Sequence, residues 1–279
     1  MESATVVGTV PHKSLQEHAL WVMVRVSGEH LVLPSALVLE MVRAPATHAV
    51  PFAPDAVRGV APLRGQVGLV VDMRRRFGLE SLQEEQAALT ALLHAREKDH
   101  RLWLEDLEDS VRERRPFTRT LDPHACAFGQ WYDAYQAPTL ELAWHLRQFA
   151  EPHGRIHAQG AIVAEHMKHG RHDEAMVVID LARKSVLGRL IDLFEGARHL
   201  VTGSSREIAV IVNVQGRSVG LVVDEVEGID QLKSETFQAM PDGFGSEDPA
   251  IIGTVRTRRE DKVVVVLDVD VLTRSYAGR

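Results

Sequence analysis

The 279-residue sequence holds a single cysteine, Cys126. No internal disulfide can form, which agrees with a reducing compartment. Long uninterrupted apolar runs are missing, and residues 1–18 show no basic start followed by an apolar stretch. Neither a membrane span nor a secretory leader is expected, and the expected location is cytoplasmic. Positive charge is not in excess: 32 Lys and Arg stand against 39 Asp and Glu, giving a formal charge of −7. That balance argues against nucleic acid or an anionic membrane as the main partner, and the basic run Arg112 to Arg115 before Pro116 reads as a solvated helix end. There is no phosphate-cradling glycine loop, nucleophile elbow or kinase motif. What is present is an ordinary globular composition, 45% hydrophobic, with length for two domains that each bury a core.

Residues 1–18 show no periodicity and read as a flexible tail. From Ala19 the pattern becomes β-like. Residues 20–26 and 30–33 predict two strands around Ser27, Gly28 and Glu29, and 66–71 another, followed by Asp72 capping a short turn over 73–77. Pro45, Pro51, Pro54 and Pro62 exclude a long helix between them. Phe52 and Val57, apolar and flanked by prolines, are assigned to the core.

Near Ser81 the composition shifts to Leu, Ala, Gln and Glu at helical spacing, so a long helix is expected over 81–110. Further helices are predicted over 138–149, 152–168 and 173–194, an antiparallel bundle. Strands resume at 208–214 and 218–223 as a hairpin around Gln215, Gly216 and Arg217. Residues 262–267 predict a buried strand and 268–272 a short helix. Neither β-rich half looks large enough alone, so the simplest architecture is one β domain interrupted by a helical insertion whose first and last helices lie close together.

The insertion carries the candidate chemistry. His153 and His157 stand four apart after Pro152, so a helix would project both imidazoles from one face. Cys126 offers a soft anionic donor, and His100, on the long helix, a third imidazole. Three imidazoles and a thiolate suit tetrahedral zinc. Spacing alone leaves the alternative open: a lone cysteine is usually a small buried hydrophobe, and 14 histidines produce some four-residue spacings by chance. His94, His124, His145, His166, His169 and His172 have no such arrangement, and His166 and His169 read as solvated imidazoles near a helix C-terminus.

The order His100-x-x-Trp103, Cys126-x-Phe128-Gly129-x-Trp131, His153-x-x-x-His157 resembles the chemoreceptor zinc-binding domain, CZB, over about residues 86–198. The resemblance implies a helical bundle with His100, Cys126, His153 and His157 as zinc ligands and Trp103, Phe128, Gly129 and Trp131 as packing positions. The flanking stretches, above all 54–74, 216–226 and 264–272, resemble the CheW-like domain of bacterial chemotaxis coupling proteins, two small five-stranded barrels around a shared core. Pro62 stands where that family often has Asn, and a later glycine pair is reduced to Gly253 with Val255. Together these imply a multidomain α and β protein, a CheW-like double β-barrel (19–85 and 203–279) interrupted by a CZB-like α-helical bundle (86–198).

By resemblance the chain is a non-catalytic adaptor between chemoreceptor cytoplasmic tips and a CheA-type histidine kinase. Arg64 matches a receptor-contacting arginine, and its alternative role is a surface ion pair. The resemblance also implies that the module senses zinc or an oxidant such as hypochlorous acid through zinc-bound Cys126, against a purely structural zinc. It leaves room for a homodimer through the bundle. A metal-dependent enzyme would need an open zinc position and a base such as Glu165, and a di-iron bundle would need inward carboxylates where the pattern is apolar.

Overall fold

The computed structural model describes residues 20–203, 207–240, 249–274 and 276. The tail expected over 1–18 lies outside them. The chain divides into two compact units, residues 1–82 with 206–279, and residues 83–205.

The first unit contains two sheets. One has six strands in the order β8-β1-β2-β11-β10-β9, built from β1 (Trp21–Val26), β2 (Glu29–Pro34), β8 (Glu225–Asp230), β9 (Leu232–Ala239), β10 (Ile251–Thr257) and β11 (Val263–Leu267). The other has five in the order β3-β6-β7-β5-β4, from β3 (Val38–Arg43), β4 (Val57–Leu63), β5 (Gln66–Asp72), β6 (Ile208–Val214) and β7 (Arg217–Val223). The expected five strands per sheet are thus six in one. β11 pairs parallel with β2, and β5 with β7.

Alternation explains why these strands read as nearly continuous apolar runs. In β1, Val22, Val24 and Val26 enter a core shared with Val210, Val212 and Val214 of β6. Their neighbours Trp21 and Met23 pack in a second core with Val255 and Val266, and Ala209 and Ile211 in a third with Leu63 and Val70. Both faces are therefore buried, so no polar face interrupts the pattern. Two-residue turns with positive φ at both positions, Ser27-Gly28, Arg64-Gly65 and Gln215-Gly216, close the three hairpins β1-β2, β4-β5 and β6-β7, the geometry that matches strand twist.

Asp72 accepts from the backbone N–H of Arg74 and Arg75 and so caps α1 (Met73–Arg76). It also accepts from Arg58 Nε and Nη2 at 2.9 and 2.7 Å, while Arg58 Nη1 donates to Glu207 at 2.7 Å. Asp72 precedes the helical insertion and Glu207 follows it, so one guanidinium ties both sides of the interruption. Phe52 corrects an expectation: it is fully exposed at 106% with φ 61°. The tight turn after Pro51 places its backbone in the left-handed region, and its ring stands away from either core.

The second unit is helical: α2 (Leu82–Arg112), α3 (Ala127–Ala134), α4 (Leu140–Arg147), α5 (Ala150–Lys168), α6 (His172–Ala182) and α7 (Gly188–Gly203). A π-helical turn, Arg183–Leu187, joins α6 to α7 without a break. The last helix therefore continues nine residues beyond the expected end at Phe194. Gly196 does not end it; a Cβ there would stand 2.5 Å from the His145 ring, so the glycine makes room for that side chain. α3 falls outside the four helix ranges expected from the sequence. Arg198 on α7 donates to Glu97 on α2 at 2.7 Å, so the first and last helices do lie together.

Candidate metal centre

The donor groups converge from three elements of the bundle. His100 sits on the inner face of α2 with Trp103, Leu104 and Leu107, all buried. His153 and His157 occupy one face of α5, one turn apart, with Ile156 between them in the core. Cys126 is the N-cap of α3, its Sγ accepting from the Gly129 N–H at 3.2 Å. That tight cap needs Gly129: a Cβ would lie 1.8 Å from the Pro123 carbonyl oxygen.

One ligand atom from each of His100, Cys126, His153 and His157 lies within 4.8 Å of all the others, and this is the one such His/Cys/Asp/Glu group among the described residues. Cys126 Sγ and His153 Nε2 are 3.2 Å apart. A tetrahedral zinc with bonds of ~2.0–2.1 Å to nitrogen and ~2.3 Å to sulfur has donor–donor edges of about 3.3–3.6 Å, so contraction by about 1 Å closes the shell. The cluster contains no carboxylate, which disfavours the di-iron alternative.

Hydrogen bonding sets the tautomers. His100 Nδ1 donates to the Arg96 carbonyl at 2.7 Å and His157 Nδ1 to the Thr120 carbonyl at 3.3 Å. Each leaves Nε2 as a lone pair, and both Nε2 atoms are buried with no hydrogen-bond partner. Two orphaned basic nitrogens aimed at one point are costly unless something electropositive sits there. Burial first, then the neighbouring imidazoles, holds His153 down to about 3 and His157 to about 4, and burial lowers His100. All three are neutral near pH 7, the form that binds metal. Burial raises the Cys126 thiol, so forming the thiolate requires a cation. The donor set and its orphaned nitrogens fit zinc.

Phe128 packs edge-on to His153 with ring centroids 4.9 Å apart and also against Phe149 and Phe194. Trp103 does more than pack: its Nε1 donates to the same Thr120 carbonyl that orients His157. Residue type carries no signal for Thr120 or Arg96, because both act through the main chain. Trp131 is half-buried and stacks on Tyr135.

The other histidines named above stand outside the cluster. His94 is exposed, His124 pairs with Asp133, and His145 meets the Leu193 carbonyl. His169 and His172 bond to nearby carbonyls. His166 is half-buried with an unpartnered Nδ1, and is less solvated than its position suggested. Glu165 is exposed and engages Lys168 and His169.

Arg64 lies at the tip of the β4-β5 hairpin with φ 50°, its side chain half exposed. It reaches Glu40 at 3.9 Å and the Leu39 carbonyl at 3.5 Å.

Comparison with known families places this geometry. The CheW-like domain matches residues 20–110 and 172–277, more than half of the chain. The chain belongs to the CheW-like family. The chemoreceptor zinc-binding domain matches residues 100–164, a span that holds all four donors. The CheW-like match extends into α2 and α6, yet Leu93, Leu104, Ala175 and Ile179 there belong to the helical core, which puts the division at residues 82 and 206. The crystal structure of the scaffolding protein TtCheW from Thermoanaerobacter tengcongensis aligns over 92% of this chain and 93% of that one, at 12% identity and a TM-score of 0.43. No curated protein matches the chain. Among the described residues no helix is long and apolar enough to cross a membrane.

Proposed function

We propose that this CheW-like protein is a cytoplasmic, non-catalytic adaptor that couples chemoreceptors to a CheA-type histidine kinase. Its inserted helical module holds one zinc ion through His100, Cys126, His153 and His157. The observation that carries the zinc assignment is the pair of buried, unpartnered Nε2 atoms of His100 and His157 beside the Cys126–His153 contact. Four protein donors close a tetrahedral shell and leave no position for substrate water, which supports a binding module over a hydrolase. Arg64, raised on a hairpin tip and loosely held by Glu40, serves the receptor contact, where a rim charge acts on association.

A zinc ion held there would stabilise the thiolate of Cys126, and a thiolate is the form that oxidants attack. Hypochlorous acid converts it to a sulfenic acid, RS⁻ + HOCl → RSOH + Cl⁻. Sulfenic acid is a poor ligand. Its formation frees α3, for which Cys126 is the N-cap, and loosens the bundle.

Metal content of the purified full-length protein tests this reading. One zinc per chain is expected, retained through dialysis against a chelator, and lost in Cys126→Ser and His157→Ala but not in His169→Ala. Retention by both ligand variants would overturn the assignment. Mass spectrometry after mild hypochlorous acid treatment, beside a receptor–kinase coupling assay, tests the sensing role. If Cys126 stays reduced, or oxidises without changing coupling, the zinc is structural only.

A further inference from the structure

The bundle has a hollow of about 410 Å³ at the end where α2 and α5 terminate, within the ~300–1,000 Å³ range of small-molecule sites. Its walls are apolar: Leu107, Phe117, Leu121, Val163 and Met167. Gly160 also lines it, and a Cβ there would lie 2.3 Å from Leu121 and 3.0 Å from the Trp103 ring. None of the four zinc donors lines it.

Cationic groups supply its polar part. Arg115 is held by Asp106 and Glu113, and Lys168 by Glu165. Arg114 has no ion-pair partner among the described residues, and it occupies an unfavourable backbone position. It stands two residues beyond the end of α2 with φ 54°, while the N–H of Arg115 closes onto the Ser110 carbonyl. That left-handed helix end is where glycine is ordinarily found, since a Cβ there is strained. Arg114 is exposed, so its guanidinium is free to take a counter-ion beside the apolar wall, the combination that a carboxylate on an apolar body complements. The two helix C-termini disfavour an anion, and a paired guanidinium outweighs them because a charge-assisted, two-pronged bond is stronger than a terminal half-charge.

We propose that this hollow binds a small amphipathic carboxylate, its apolar body between Leu107 and Met167 and its head group on Arg114. Calorimetric titration of the full-length, zinc-loaded protein with decanoate tests the site, with 1-decanol as the uncharged probe. One decanoate per chain is expected, with 1-decanol binding at least tenfold more weakly. Arg114→Gly should weaken decanoate tenfold or more while its melting temperature holds or rises, because glycine suits φ 54°, so the loss cannot come from unfolding. Ala164→Phe, which fills the hollow, should weaken both probes. Equal binding of the two probes, unchanged affinity in Arg114→Gly, or several molecules bound per chain would overturn the proposal.

Discussion

Arg58 offers the sharpest test of how the β unit holds together around its interruption. Its guanidinium bonds both Asp72 and Glu207, and the three side chains are 17%, 3% and 9% exposed. Desolvation alone would lower the arginine, yet its hydrogen bonds and the two carboxylates raise it. Arg58→Met keeps most of the stem and removes the charge, leaving two buried carboxylates uncompensated. Losing one partner of a buried pair costs about 3–5 kcal/mol, and the remaining access of water to Arg58 favours the lower end, about 3 kcal/mol. For a unit of this size each kcal/mol lowers the melting temperature by about 2–4 °C, so a fall of roughly 6–12 °C is expected by scanning calorimetry. Arg64 is the internal control: its Glu40 pair is 3.9 Å long and the side chains are 50% and 36% exposed, so Arg64→Met should cost no more than about 1 kcal/mol. Adding Glu207→Gln to Arg58→Met should recover part of the loss, because one of the stranded charges is gone. A fall of less than about 2 °C, or equal effects at Arg58 and Arg64, would refute the reasoning.

Gly129→Ala should abolish stoichiometric zinc binding, since its Cβ would displace the Pro123–Cys126 turn. Gly154→Ala, beside His153 with nothing within 4 Å of its new Cβ, should keep zinc and add about 0.5–1 kcal/mol. Metal analysis and thermal melting read both. Phe52→Asn should stabilise by about 0.5–1 kcal/mol, because Asn tolerates the left-handed backbone that Phe adopts there with its ring in water. The check is a higher urea midpoint at unchanged slope. Removing the bundle and joining Leu79 to Arg206 by a short linker should leave a cooperatively melting β domain. An unfolded product would show that the helices are part of its core.

Much of the fold was legible because burial on both faces turned β1, β6 and β7 into apolar runs, and because Gly28 and Gly216 marked two of the three two-residue turns. β8 and β9 were not, since partly exposed strands mix Glu, Lys and Ser with Val and Leu and lose a clean alternation. α3 has eight residues, about two turns, too few for a helical period to stand out. The helix expected to end at Phe194 runs on through Gly196, where tertiary packing overrides the weak helix propensity of glycine: the helix needs that position empty for His145. Phe52 was misplaced for a related reason. An aromatic among prolines suits a core by composition, and only its full exposure in the folded chain shows that it points into solvent.

At the metal site, residue types identified the donors, but spacing could not separate them from their neighbours. His145, His169 and His172 also reach main-chain carbonyls through one ring nitrogen, as His100 and His157 do. Nor does one bare nitrogen decide the matter, because His166 has a buried Nδ1 with no partner. What separates His100 and His157 is convergence: their bare nitrogens share a space of under 5 Å with a thiol and a third imidazole. His166 has no such company, so its orphaned nitrogen is an isolated cost of order 1–3 kcal/mol. The same cost, met twice around one point by atoms that all prefer a soft cation, is a binding site. That convergence depends on the Arg96 and Thr120 carbonyls turning two rings inward. A sequence records neither carbonyl, so its pattern could supply the ligand types while the tautomers and the meeting point came only from the folded chain.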